Sequence, residues 1–68
     1  MKVTMNTELI KKLCLQQEIR ISPLLERLGL APSCWSEWKK GREPRAGTLF
    51  ALAAFFKVDA MDLITIKE

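Results

Sequence analysis

The sequence has no histidine and only two cysteines, Cys14 and Cys34, with nineteen residues between them. That spacing provides no Cys-x-x-Cys ligand pair, so a structural zinc site lacks its donors. Without an imidazole there is no histidine base, Glu26, Glu37 and Glu43 are scattered, and neither thiol has an activating neighbour in sequence. The chain is therefore read as a non-enzyme with no cofactor and no bound metal. No apolar stretch of the secretory type follows the N-terminus, where Lys2 leads into Thr4, Asn6, Thr7 and Glu8, so the thiols are read as reduced and the protein as cytoplasmic. Long hydrophobic runs are missing too. The longest, Leu49 to Phe56, is far short of the roughly 20 residues that span a bilayer, which predicts a core helix and no membrane partner.

What is present fits one small domain over residues 1–68, with 1–6 and 65–68 as tails. A chain of 68 residues buries only about 60% of its unfolded surface, so its large apolar side chains are needed for a single core and few remain to line a pocket. Eleven basic against eight acidic residues give +3, a balance compatible with a polyanionic partner. Its distribution is more informative: residues 31–48 carry four basic and two acidic groups, whereas 49–68 carry two and three. Lys39, Lys40, Arg42 and Arg45 surround the turn signals Gly41 and Pro44, which predicts a basic loop.

Five helices are predicted. Asn6 or Thr7 caps a first helix with Ile10, Leu13, Cys14 and Gln17 on one face, ending near Glu18. Ser22 and Pro23 open a second helix as cap and first helical residue, with Leu24, Leu25 and Leu28 as its buried stripe and Gly29 as its left-handed stop. A third runs from Pro32 to Lys40 and places Trp35 and Trp38 three apart on one side, with Ser33, Ser36, Glu37 and Lys40 on the other. The fourth starts at Ala46 or Gly47 and is apolar nearly all round, as expected of the most buried helix. Asp59 caps a last helix containing Met61, Leu63 and Ile64, after which residues 65–68 form a short strand or fray.

The second and third helices, joined by a turn with glycine, make a helix-turn-helix candidate. Over a twenty-residue unit beginning at Ile21, Leu24, Leu28, Leu30, Trp35 and Trp38 pack inward with Gly29 in ninth position. The outer side of the third helix is then free to enter a groove about 12 Å wide.

From about Ile10 to Ile64 the sequence resembles the phage-repressor Cro/CI-type, or Xre, helix-turn-helix family. The resemblance lies in Ile10-Lys-Lys-Leu13, Leu24-Leu-Glu-Arg-Leu-Gly-Leu30, Trp35-Ser-Glu-Trp-Lys-Lys-Gly41 with Pro44, Thr48-Leu-Phe-Ala-Leu-Ala53 and Val58-Asp-Ala-Met-Asp-Leu63. It implies an all-α, five-helix lambda-repressor-like domain, a transcriptional regulator whose third helix lies in the major groove of a double-stranded DNA operator, usually as a homodimer. It also implies that Pro32, Ser33, Ser36 and Glu37 face base edges. Lys39, Lys40, Arg42 and Arg45 are implied near phosphates, with Arg20 and Ser22 at the start of the second helix, where the family often has a glutamine. The apolar groups from Met61 to Ile66 are read as a two-fold contact. A second reading on the same fold is an antirepressor or modulator that binds a partner repressor protein, with Trp35 partly exposed as an anchor. Cys34, beside a helix start, is a further candidate as a redox-sensitive thiol.

Overall fold

The computed structural model describes residues 1–68, beginning with an extended segment whose polar and apolar residues alternate, Lys2-Val3-Thr4-Met5. This is strand β1 (Lys2–Met5), followed by helices α1 (Thr7–Gln16), α2 (Ile21–Arg27), α3 (Ser33–Lys39) and α4 (Ala46–Phe56), a 3-10 turn (Ala60–Leu63) and strand β2 (Ile64–Lys67). The fifth helix expected after Asp59 is a single 3-10 turn, residues 2–5 form a strand and not a free tail, and of the two readings of residues 65–68 the short strand is the one found. The chain is mostly helical, with four α-helices, and its two ends pair as an antiparallel sheet with Lys2 opposite Lys67, Val3 opposite Ile66, Thr4 opposite Thr65 and Met5 opposite Ile64. Burial explains the pairing. Met5 and Leu63 are buried, which brings the adjoining backbone groups out of water, and the Asn6 N–H donates to the Leu63 carbonyl at 2.8 Å. Strand pairing gives those groups partners that a free tail would leave to solvent.

The helix starts follow local chemistry in one case and tertiary packing in the others. Asn6 caps α1, its side-chain oxygen accepting from the Leu9 N–H at 3.2 Å, and Glu8 sits in the first turn, where the helix dipole favours an acid. Ser22 does not cap α2. That helix begins one residue earlier, behind an extended Arg20 with no side-chain cap, so Pro23 falls third, still within the first turn where an absent N–H breaks no helical bond. Pro32 precedes α3 with φ −57°, one residue before the helix proper. Asp59 makes no side-chain cap, and Ile64 is already extended (φ −120°, ψ 157°), which holds the final helical segment to one 3-10 turn.

All four helices end in the same way. A residue with positive φ (Glu18 at 54°, Gly29 at 72°, Gly41 at 91°, Lys57 at 57°) is followed by an N–H that donates back to the carbonyl five residues earlier. These bonds are Ile19 to Cys14 (3.0 Å), Leu30 to Leu25 (2.8 Å), Arg42 to Glu37 (3.0 Å) and Val58 to Ala53 (3.1 Å). This six-to-one closure satisfies carbonyls that the helix leaves free. The sequence signals it only where glycine supplies the left-handed residue.

Every α-helix, the 3-10 turn and β1 contribute to one core of Met5, Ile10, Cys14, Leu24, Leu25, Trp38, Leu52, Phe56 and Leu63. In α1, Ile10 and Cys14 are buried and Leu13 half-buried as the spacing predicts, while Gln17 is exposed. In α4 the apolar run is not buried all round: Leu52 and Phe56 face inward, whereas Phe50 is 67% exposed.

Candidate nucleic-acid interface

The turn between α2 and α3 is built by Gly29, whose φ of 72° suits glycine because no β-carbon opposes it. The reversal places Leu24 and Leu25 in the core, with Leu28 and Leu30 packed against it. On α3, Trp38 is buried and Trp35 half-buried, and their indoles meet edge to face with ring centroids 6.2 Å apart at 82°. The inward set read from the sequence is thus assembled, and Trp35 retains partial exposure.

With both indoles turned inward, the opposite side of α3 is in solvent. Pro32, Ser33 and Ser36 are exposed, as are Lys39 and Lys40 one turn later. Glu37 is half-buried and lines an open cleft with Cys34, Trp38, Arg42, Arg45 and Thr48. Pro44 is buried and fixes the loop to the body, while Arg42, Glu43 and Arg45 on either side of it are exposed. Arg20 and Ser22 are exposed at the start of α2. Loop and helix end together bring Lys39, Lys40, Arg42 and Arg45 to one end of α3.

These cations are not neutralised within the fold. The ion pair formed is Lys11 with Glu8 on α1, at 3.9 Å; no carboxylate lies within 4.0 Å of a basic group on α3 or the loop. Arg27, by contrast, lies over the Phe55 ring at 5.7 Å and ties α2 to α4. The sequence reading missed one cation beside the site. Lys2 on β1 reaches the end of α3, its Nζ 3.5 Å from where a β-carbon on Gly41 would stand. The only sequence signal was the alternation of Lys2 to Met5, too short to specify a partner.

The thiols are both free, Cys14 buried and Cys34 half-buried. Burial pushes the Cys14 thiol above its ordinary value. No cluster of histidine, cysteine, aspartate and glutamate side chains could hold a metal ion. No helix is long and apolar enough to cross a membrane.

Comparison with known families gives a match to the Cro/C1-type HTH DNA-binding domain over residues 4–68. The match begins within β1 and runs through β2, so both strands fall inside it. Neither the curated proteins nor the solved structures contain a significant match. The α2–turn–α3 geometry and the matched span agree, and the chain belongs to the Cro/C1-type HTH DNA-binding domain family.

Proposed function

We propose that residues 1–68 act as a single small transcriptional regulator, a repressor of the Cro type, which binds an operator in duplex DNA with α3 in the major groove. The observation that carries this reading is the exposed outer side of α3 beside four cations without acidic partners. In this reading Pro32, Ser33, Ser36 and Glu37 face base edges, while Lys39, Lys40, Arg42 and Arg45, with Arg20 and Ser22, lie along phosphates. Phosphate contacts fix register and supply affinity, and base-edge contacts supply discrimination. Pro32 offers no donor, serines discriminate weakly, and Glu37 can accept from a cytosine amino group but is repelled by nearby phosphates. Binding is therefore dominated by the backbone, with modest sequence preference.

Homodimerisation is part of the proposal. Ile66 on β2 and Met61 just before it are 46% and 66% exposed, and a two-stranded sheet leaves one edge of each strand unpaired. A two-fold pair of domains sets two α3 helices about 34 Å apart in successive major grooves. A second reading, a modulator that binds a partner repressor through the same fold, draws on Phe50 and Leu15, which are 67% and 80% exposed.

The test is fluorescence anisotropy of a labelled duplex titrated with protein at several salt concentrations. Each neutralised phosphate contributes about −0.9 to the slope of log affinity against log salt. The Lys39→Ala, Lys40→Ala double variant is expected to weaken binding and to flatten that slope by about 1.8. An unchanged affinity and slope would rule out the proposed phosphate contacts and leave the modulator reading.

A further inference from the structure

The two chain ends carry a pair of cations that the function described so far does not use. Lys2 and Lys67 are directly opposite in the β1–β2 register, and residues so paired point to the same face of an antiparallel sheet. Like charges in this arrangement repel, and the fold provides no compensation. Neither ammonium has a carboxylate within 4.0 Å, and the two hydrogen bonds involving side chains, from Thr4 to Thr65 and from Leu9 to Asn6, include neither lysine. Both lysines are exposed. Lys2 also has a defined place, with its Nζ 3.5 Å and its Cε 3.9 Å from the position of a β-carbon on Gly41. Gly41 is the left-handed residue that ends α3, immediately after Lys39 and Lys40.

We infer that the end of the β1–β2 ribbon is a second phosphate-binding element, with Lys2 and Lys67 extending the basic loop so that the DNA backbone passes across Gly41. The inference rests on the DNA-binding reading above and adds two contacts to it. The ligand chemistry is a line of phosphodiesters. A repulsive lysine pair next to two further lysines and an arginine is stabilised by an external polyanion and by nothing in the chain itself. Glycine at position 41 ends the helix in the left-handed conformation, and the Lys2 ammonium lies against that turn at van der Waals distance. Lys2 reaches Gly41 and stands opposite Lys67 only once the chain ends have paired, so the grouping does not show in the sequence.

The experiment measures anisotropy of a labelled 20-base-pair duplex of mixed sequence at salt concentrations from 50 to 200 mM. Wild type, Lys2→Gln, Lys67→Gln, the double variant and Lys57→Gln are compared, the last removing one charge at the end of α4. Thermal unfolding of each variant gives a separate stability readout. The expected result is a slope shallower by about 0.9 for each single variant and about 1.8 for the double, with Lys57→Gln close to wild type. The unfolding temperature of the double variant should be unchanged or higher, since a repulsive pair is removed. If wild type binds with a steep slope that Lys39→Ala, Lys40→Ala flattens, while Lys2→Gln and Lys67→Gln match Lys57→Gln, the ribbon contact is refuted and the reading of α3 stands. If wild type shows no salt-dependent duplex binding, both fall. Tighter binding to a single-stranded RNA of equal length, with the same loss in the ribbon variants, would overturn the assignment to duplex DNA.

Discussion

The Trp35 indole stands edge-on to that of Trp38, with 6.2 Å between ring centroids and 82° between planes. This contact decides which side of α3 faces outward. Residues three apart on a helix share a face, so the two rings together seat one side of the helix against α2 and the core. Ser33, Ser36 and Lys40 are left on the other.

The pair makes unequal demands on stability. Trp38 is only 6% exposed, and truncating a buried tryptophan to alanine costs about 3–5 kcal/mol. A domain of this length has roughly 3–10 kcal/mol in total. Trp38→Ala should therefore lose about 3–5 kcal/mol, a large share of the total, whereas Trp35→Ala, from a half-buried site, should lose about 1–2 kcal/mol. Urea unfolding followed by far-ultraviolet circular dichroism measures both. Equal losses would mean that the two rings are not packed as described.

The shared helix closure gives a second prediction. Gly29→Ala meets no atom within 4 Å, so any loss of stability comes from its φ of 72°. A non-glycine residue in the left-handed region costs about 1–2 kcal/mol, offset by about 0.4–1 kcal/mol from the stiffer unfolded chain. A net destabilisation of roughly 1 kcal/mol is expected. Lys57→Gly, at φ 57°, should change stability by a similar amount in the opposite direction. A neutral Gly29→Ala or a destabilised Lys57→Gly would contradict the cap geometry.

Burial of Cys14 gives a prediction in pH. Its thiol is raised above the ordinary value of 9.0 by desolvation, so the folded state holds its proton to higher pH than the unfolded state. The resulting stability is fully present below the unfolded value and is lost as pH rises through the folded one. Between pH 7 and 8 the unfolding free energy should not depend on this group, and above about pH 8.5 it should decline. Cys14→Ala, which lacks the thiol, should decline less steeply over about pH 8.5–10. Parallel pH curves for the two proteins would show that the thiol ionises equally well in the folded state.

How much could be read from the sequence depended on whether the cause was local. Asn6, Gly29 and Gly41 act through their own side chain or φ: the glycine stops are legible in the sequence, and the cap narrows there to Asn6 or Thr7, of which Asn6 is the one found. The inward set Leu24, Leu28, Leu30, Trp35 and Trp38 followed from helical spacing. Ser22 has the chemistry of a cap, yet α2 starts one residue before it, because packing of Leu24 and Leu25 sets the helix in place. Glu18 and Lys57 end helices without glycine, so nothing in their identity marks the turn. Strands β1 and β2 are four residues each and lie at opposite ends of the chain; such short segments acquire their conformation from each other. The exposed outer side of α3, with Ser33, Ser36 and Lys40, was legible for the same reason as the core, being its complement on one helix. Lys2 was not, because it reaches Gly41 through that long-range pairing.

Where the duplex docks is measured by titrating the isotope-labelled protein with a duplex oligonucleotide and following its amide resonances residue by residue. The largest shifts are expected at Ser33, Ser36, Glu37, Lys39, Lys40 and Arg42, with Leu15 and Phe50 little affected. Shifts centred on Leu15 and Phe50, with the outer side of α3 unperturbed, would contradict docking through α3.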